Sequence, residues 1–149
     1  MSPEEKYMRA ALREAKKAYA LGEVPIGCVL VADDKIIARG YNRRKTDKNS
    51  LSHAETNAIR KASKKTGDWR LEQCTMYVTL EPCPMCAGGI VLARPDAVIW
   101  GVSDPKRGGG TTFGIFSHPG INHHPAIVAG ICEMESKAML QSFFQARRI

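Results

Sequence analysis

His53-Ala54-Glu55 and Pro82-Cys83-Pro84-Met85-Cys86 are the two runs of this 149-residue chain whose residue types and spacing could do chemistry. Each has an ordinary reading by itself. Ser52-x-x-Glu55 has the spacing of a capping box, in which Glu55 only satisfies a backbone donor at a helix start. A single histidine at a helix entrance is more often a polar surface group than a ligand, and C-P-M-C fits a redox pair, since thiolates at helix N-termini are activated. Taken together, the runs make one chemical unit. Cysteines at i and i+3 share a face of a helical turn and are spaced to grip one metal ion, and His53 adds a nitrogen from a second helix start. Two thiolates with one imidazole favour zinc over metals that prefer hard oxygen ligands. Three protein ligands leave a fourth position for water, the pattern of a catalytic site, and the pKa of water on such a zinc falls to about 7. Glu55, two residues from a ligand, can carry a proton from that water to a leaving group without binding the metal. The pattern predicts a hydrolytic site with one zinc per chain, held by His53, Cys83 and Cys86 and served by Glu55.

Two helix starts must therefore be brought together. The periodicity predicts a first helix capped by Ser2, opened by Pro3 and stopped at Gly22, with Met8, Ala11, Leu12, Ala15, Ala18 and Tyr19 on one face. Ile26–Ala32 and Lys35–Tyr41 read as strands of a hairpin turning at Asp33-Asp34. A polar, basic loop, 42–50, precedes a helix from Ser52 to Lys65 that stops at Gly67. Met76–Leu80 is a strand, Cys83–Ala93 a helix entered through Pro82, and Ala97–Val102 another strand. Asp104–Gly110 and 117–125 read as irregular, and Ile131–Ala146 as a closing amphipathic helix. Strand–helix–strand units of this kind require parallel strands with helices on the sheet faces. The predicted fold is a single α/β domain over residues 1–149, a three-layer α/β/α sandwich around a mixed sheet.

Twenty-two Lys and Arg stand against fifteen Asp and Glu, a net charge of +7. Such a surplus suits a polyanionic partner such as nucleic acid, and equally a solvated surface. No apolar run approaches the length of a membrane span, and the acidic start Met1-Ser2-Pro3-Glu4-Glu5 is not a signal peptide, so a cytoplasmic protein without membrane contact is expected. Cys28 and Cys132 sit in apolar contexts and read as small hydrophobes; Cys74 precedes a strand.

The H-x-E…P-C-x-x-C pattern is the known signature of zinc-dependent nucleobase deaminases, the tRNA adenosine deaminases among them. Gly22-Glu23-Val24-Pro25-Ile26-Gly27, Gly40-Tyr41-Asn42-Arg43, the run from Tyr77 to Gly88, Asp104-Pro105-Lys106 and the run from His118 to His123 narrow the likeness further. Over nearly its whole length the chain resembles the bacterial tRNA-specific adenosine deaminases, of the cytidine deaminase-like superfamily. The resemblance implies zinc on His53, Cys83 and Cys86, with Glu55 as proton shuttle. It implies that Asn42 hydrogen-bonds a flipped-out base, that the Ala54 backbone fixes the ring, and that Asp104 and Lys106 contact RNA around the target nucleotide. Asn122, His123 and Phe144 match positions lining an anticodon-loop pocket. It also implies a homodimer whose partner subunit completes each RNA surface, and, as substrate, the wobble adenosine in the anticodon stem-loop of an arginine tRNA, converted to inosine. Residue chemistry alone leaves other readings: Asn42 and Asp104-Pro105 are common turn formers, Lys106-Arg107 is an ordinary solvated pair, and the Phe143-Phe144 pair is core packing. The family usually carries arginine directly after that pair, where this chain has Gln145, and the chain stops at Ile149 without a basic tail; both bear on tRNA affinity. Thr56 and Trp100 have no reading from sequence. Rival functions are a deaminase of a free base or nucleoside (guanine or cytosine type), a zinc-stapled RNA-binding module and a redox protein.

Overall fold

A computed structural model describes residues 1–147, so Arg148 and Ile149, at the end read above for tRNA affinity, lie outside the described residues. The elements are α1 (Pro3–Ala20), β1 (Gly27–Ala32), β2 (Lys35–Tyr41), α2 (Ala54–Thr66), β3 (Thr75–Leu80), α3 (Pro84–Ala93), β4 (Ala97–Val102), β5 (Ala126–Ala129) and α4 (Glu133–Ala146), with a 3-10 turn at Ile115–Ser117. The strands form one sheet in the order β2-β1-β3-β4-β5. β1 pairs antiparallel with β2 and with β3, whereas β3–β4 and β4–β5 are parallel.

Period-two alternation divides the core between the two faces. Cys28, Leu30, Met76, Val78, Val98 and Trp100 meet α2 and α3 on one face, while Val29, Val31, Tyr77 and Ile99 meet α1 and the approach to α4 on the other. The result is the three-layer mixed α/β/α arrangement expected. The hairpin turn follows its sequence signal, since Asp33 and Asp34 both take positive φ, 51° and 59°, as a two-residue turn matching strand twist requires. Gly40 in β2 lets α2 lie directly on the strand, where a Cβ would strike the Ala54 carbonyl. That close approach sets the start of α2 beside Asn42.

Residues 126–129, left without an assignment by sequence, form an edge strand; all four are exposed, so burial leaves no alternation to read. Two expectations are corrected. The last helix begins at Glu133 rather than Ile131, because Gly130 and Cys132 take left-handed backbone, φ 91° and 54°. At α3 the first helical residue is Pro84, with Cys83 as cap; Pro82 lies ahead of the helix.

Candidate active site

Both halves of the chemical unit lie at helix starts, held by different caps. At α2 the cap residue is His53, in extended backbone, and its N–H donates to Thr56 Oγ1 at 3.0 Å. The same hydroxyl lies 2.6 Å from the Leu51 carbonyl, to which it donates. Thr56 thus ties down the helix start, while the His53 Nδ1 atom faces two cysteine sulfurs. The Ser52–Glu55 capping box is corrected accordingly. Ser52 stands one residue too early, and its hydroxyl instead donates to Asp47 Oδ2 (2.7 Å) and accepts from Asn57 Nδ2 (3.1 Å). Glu55 is the second helical residue, 4% exposed, inside the protein rather than on the outer turn. Trp100 also finds its account: its ring stacks on Phe116 and its Nε1–H donates to Ser103 Oγ at 2.9 Å, at the pocket edge.

His53 Nδ1 lies 3.6 Å from Cys83 Sγ and 3.5 Å from Cys86 Sγ, and the three donor atoms all fall within 4.8 Å of one another. Zinc with about 2.3 Å bonds to sulfur and about 2.05 Å to nitrogen, at tetrahedral angles, separates such donors by about 3.5 Å. The donor set therefore fits zinc in spacing as well as in softness. Among the described residues this is the group found able to hold a metal, and Cys28, Cys74 and Cys132 stand outside it.

The local electrostatics favour a thiolate. The hydrogen bond from Cys86, aided by His53, holds the Cys83 thiol down to about 4, against burial. Cys86 is pushed far up, first by donating that hydrogen bond and then by burial. A dication is what would displace this remaining proton. His53 is raised, chiefly by its hydrogen bond with Cys83. Burial pushes the Glu55 carboxyl up to about 7, within reach of both protonation states at neutral pH.

These groups open into a cavity of about 510 Å³ beyond the C-terminal ends of β3 and β4. Asn42, Ala54, Asp104 and Phe144 line it, together with Arg44, Arg107 and an apolar wall that includes Val24, Ile26 and Leu140. That size and mixture suit a small organic group held by a few polar contacts.

The zinc-binding region of cytidine and deoxycytidylate deaminases matches residues 1–102. The tRNA-specific adenosine deaminase of Bacillus subtilis (strain 168) is 49% identical over 149 residues, covering 99% of this chain and 92% of the relative. The chain belongs to the tRNA-specific adenosine deaminase family. It is a deaminase, a hydrolase in kind. The chloroplastic tRNA(adenine(34)) deaminase of Arabidopsis thaliana is 44% identical across 97% of this chain, which matches 12% of that much longer protein. A structure solved in a study of A-to-I editing by tRNA:A34 deaminases at the wobble position superimposes with a TM-score of 0.88 at 42% identity, covering 91% of this chain and 99% of the other. A guanine deaminase from Nitrosomonas europaea shares the fold, with a TM-score of 0.80 at 18% identity over 93% of this chain and 83% of its own.

Within this deaminase the pocket gathers some of the recognition residues predicted from sequence and not others. Asn42 accepts from the Arg44 N–H at 3.2 Å and donates to the Val24 carbonyl at 3.2 Å, which leaves one donor and one acceptor site of its amide. Asp104 Oδ1 accepts from the Lys106 and Arg107 N–H groups, the turn-forming role. Lys106 itself is exposed and its neighbours Pro105 and Arg107 line the cavity instead. The phenylalanine pair divides: Phe143 is 2% exposed and packs on Tyr19, while Phe144, 48% exposed, faces the pocket. Asn122 and His123 do not join Phe144 there. Asn122 is exposed, and His123 Nε2 lies 2.6 Å from the Pro95 carbonyl, ahead of β4 and so at the opposite end of that strand. Sequence reasoning missed Glu23 and Glu81, both buried, whose carboxylates organise the loops around the pocket. An acidic residue at the end of an apolar strand, as in Leu80-Glu81-Pro82, is the signal that points to such a role.

Proposed function

We propose that this deaminase converts adenosine to inosine at the wobble position of a tRNA, an arginine tRNA in particular, using one zinc ion per chain. The observation that carries the reading is a buried Glu55 carboxyl beside a zinc-spaced His/Cys/Cys set, at the floor of a cavity of about 510 Å³. The names of relatives 49% and 44% identical support tRNA adenosine as the substrate. His53, Cys83 and Cys86 would hold the zinc, which when bound activates a water molecule as nucleophile near neutral pH. Glu55 takes a proton from the water as its oxygen bonds to C6 of adenine. It then delivers that proton to the exocyclic nitrogen as the C6–N bond breaks. Water is consumed: one of its protons leaves in ammonia, the other ends on N1, and C6 keeps the oxygen as the carbonyl of inosine. The positive ends of α2 and α3 face the site and favour the negative charge that develops.

Asn42 has the free amide capacity to read the base edge, and the Ala54 backbone lies beside it for the ring. Arg44 and Arg107 supply cations to the pocket wall for phosphates, and Lys106 adds an exposed one on the loop that Asp104 holds. Asn122 and His123 sit about 20 Å from the pocket by the length of β4. A role for them in gripping the anticodon loop therefore requires a second subunit. A homodimer is supported by α3, which has no charged residue and leaves Leu92 74% exposed on its outer face. The proposed compartment is the cytoplasm; among the described residues no helix is long and apolar enough to cross a membrane.

The deciding experiment incubates purified protein with arginine tRNA and, separately, with free adenosine, guanine and cytosine, reading RNA by sequencing and free bases by ammonia release. A-to-I conversion at the wobble position without turnover of free bases is expected. Efficient release from guanine or cytosine, with RNA untouched, would replace this reading with the small-molecule one.

A further inference from the structure

Glu81 stands between β3 and Pro82, is 3% exposed, and has both carboxylate oxygens fully engaged. Oε1 accepts from the Asp104 N–H at 2.9 Å and Thr111 Oγ1 at 2.7 Å. Oε2 accepts from the Gly110 N–H at 3.0 Å and the Thr111 N–H at 2.6 Å. All four donors belong to one loop, 104–111. With every lone-pair site taken, this carboxylate has no acceptor site left for water or substrate. The loop wraps so closely that a Cβ on Gly108 would strike the Glu81 carboxylate and the Asp104 carbonyl, and one on Gly109 would strike Ala87 of α3. The Gly109 N–H also donates to the Pro82 carbonyl at 2.7 Å, tying the loop to the chain just before Cys83. The same loop supplies Asp104, Pro105 and Arg107 to the pocket wall.

We propose that Glu81 is a positioning residue for the reaction. Its carboxylate fixes loop 104–111 against the start of α3, and so sets the distance between the substrate-facing wall and the ligand cysteines. The opposite wall is built alike: the buried Glu23 accepts from the Lys45 and Thr46 N–H groups and from Thr46 Oγ1, pinning the loop that carries Arg44. The kinetic side of this inference rests on the tRNA deaminase reading above; the structural side does not.

Wild type, Glu81→Gln and Thr111→Val are compared by amide hydrogen exchange, zinc content and steady-state kinetics on a tRNA anticodon stem-loop. Gln keeps the shape but sets an NH2 donor against groups that are themselves donors; Val removes one hydroxyl donor and keeps the backbone bond. In Glu81→Gln the Asp104, Gly110 and Thr111 amides should exchange about 10-fold faster or more, while Val98–Gly101 of β4 keep their protection and zinc stays bound, as loss of a charged hydrogen bond implies. KM should rise about 10-fold with kcat within about 3-fold of wild type, since what is lost is substrate positioning rather than proton transfer. Thr111→Val should move both readouts the same way by less, and carries the test if Glu81→Gln does not fold. A kcat loss of about 100-fold at unchanged KM would assign Glu81 to the chemistry and overturn the proposal. So would wild-type loop protection in a folded Glu81→Gln, or in Thr111→Val if it stands alone. Wild type inactive on RNA would refute the substrate reading, and amide exchange would then decide the positioning claim alone.

Discussion

Glu55 follows His53 by two positions, which places its carboxyl at the second residue of α2, against the two thiols and out of solvent. Burial raises it to about 7, so it can hold or release a proton under the conditions in which a hydrolase works. Glu55→Ala should therefore lose at least about 10²-fold in turnover, the lower bound for a general acid–base. Zinc should stay at one per chain, whereas the pair Cys83→Ser and Cys86→Ser should lose the metal. Stability should not fall, because the capping hydroxyl at the start of α2 is that of Thr56 and the removed carboxyl is one that burial disfavours. Turnover, metal analysis and thermal melting on the same samples check all three. Near-normal turnover with a melting loss equivalent to about 1 kcal/mol would restore the capping role.

The elements around the pocket divide into rigid starts and tied loops. Glu23 illustrates the second kind. Burial pushes its carboxyl up, but the hydrogen bonds from Thr46 N–H, Thr46 Oγ1 and Lys45 N–H outweigh burial, and the net shift is below the ordinary value of 4.5. A carboxyl lowered in the folded state contributes stability that is complete above its unfolded pKa and is lost as pH falls through the folded one. Acid should thus release loop 43–49 below about pH 4, where unfolded-chain carboxylates protonate. Amide exchange of Lys45 and Thr46 should accelerate there in wild type, and Glu23→Gln should show that exchange already at pH 7. Unchanged protection of both amides between pH 6 and pH 3 would refute the clamp. Such clamps were not legible in the sequence. Helix starts, the hairpin turn and the ligand spacing each follow local rules, and the apolar runs 26–32 and 76–80 marked their strands. Glu23 and Glu81 act on partners more than twenty residues away, which no local pattern encodes. β5 escaped for a related reason: its placement comes from pairing with β4, while its four exposed residues carry no period.

At the scale of the molecule, the charge of +7 suits a polyanionic partner. If phosphates are gripped, KM should climb with salt, because each neutralised phosphate releases counterions. Four single-strand contacts would weaken binding about 50-fold between 50 and 200 mM salt. Neutralising Arg43, Arg44, Lys106 and Arg107 together should flatten that slope and leave zinc in place. A flat response in wild type, with good turnover of a free base, would remove RNA as the substrate. The second subunit is tested separately through Leu92. Leu92→Glu should yield a monomer by light scattering, with zinc retained and activity on tRNA reduced, because a charge would be buried in the contact. A variant that stays dimeric would move the interface away from α3.

The glycine run 108–110 has a use outside enzymology. A run of three glycines invites randomisation, as if it were slack chain waiting for side chains. Here it is the tightest part of its loop, so libraries that diversify it would mostly sample proteins whose pocket wall cannot close. Useful variation belongs beside it, at Pro105, Lys106 and Arg107 before the run and at Thr112 and Phe113 after it, where side chains face the pocket or solvent. A breeder of altered specificity would hold Glu81, Thr111 and the three glycines constant, and vary only the letters around them.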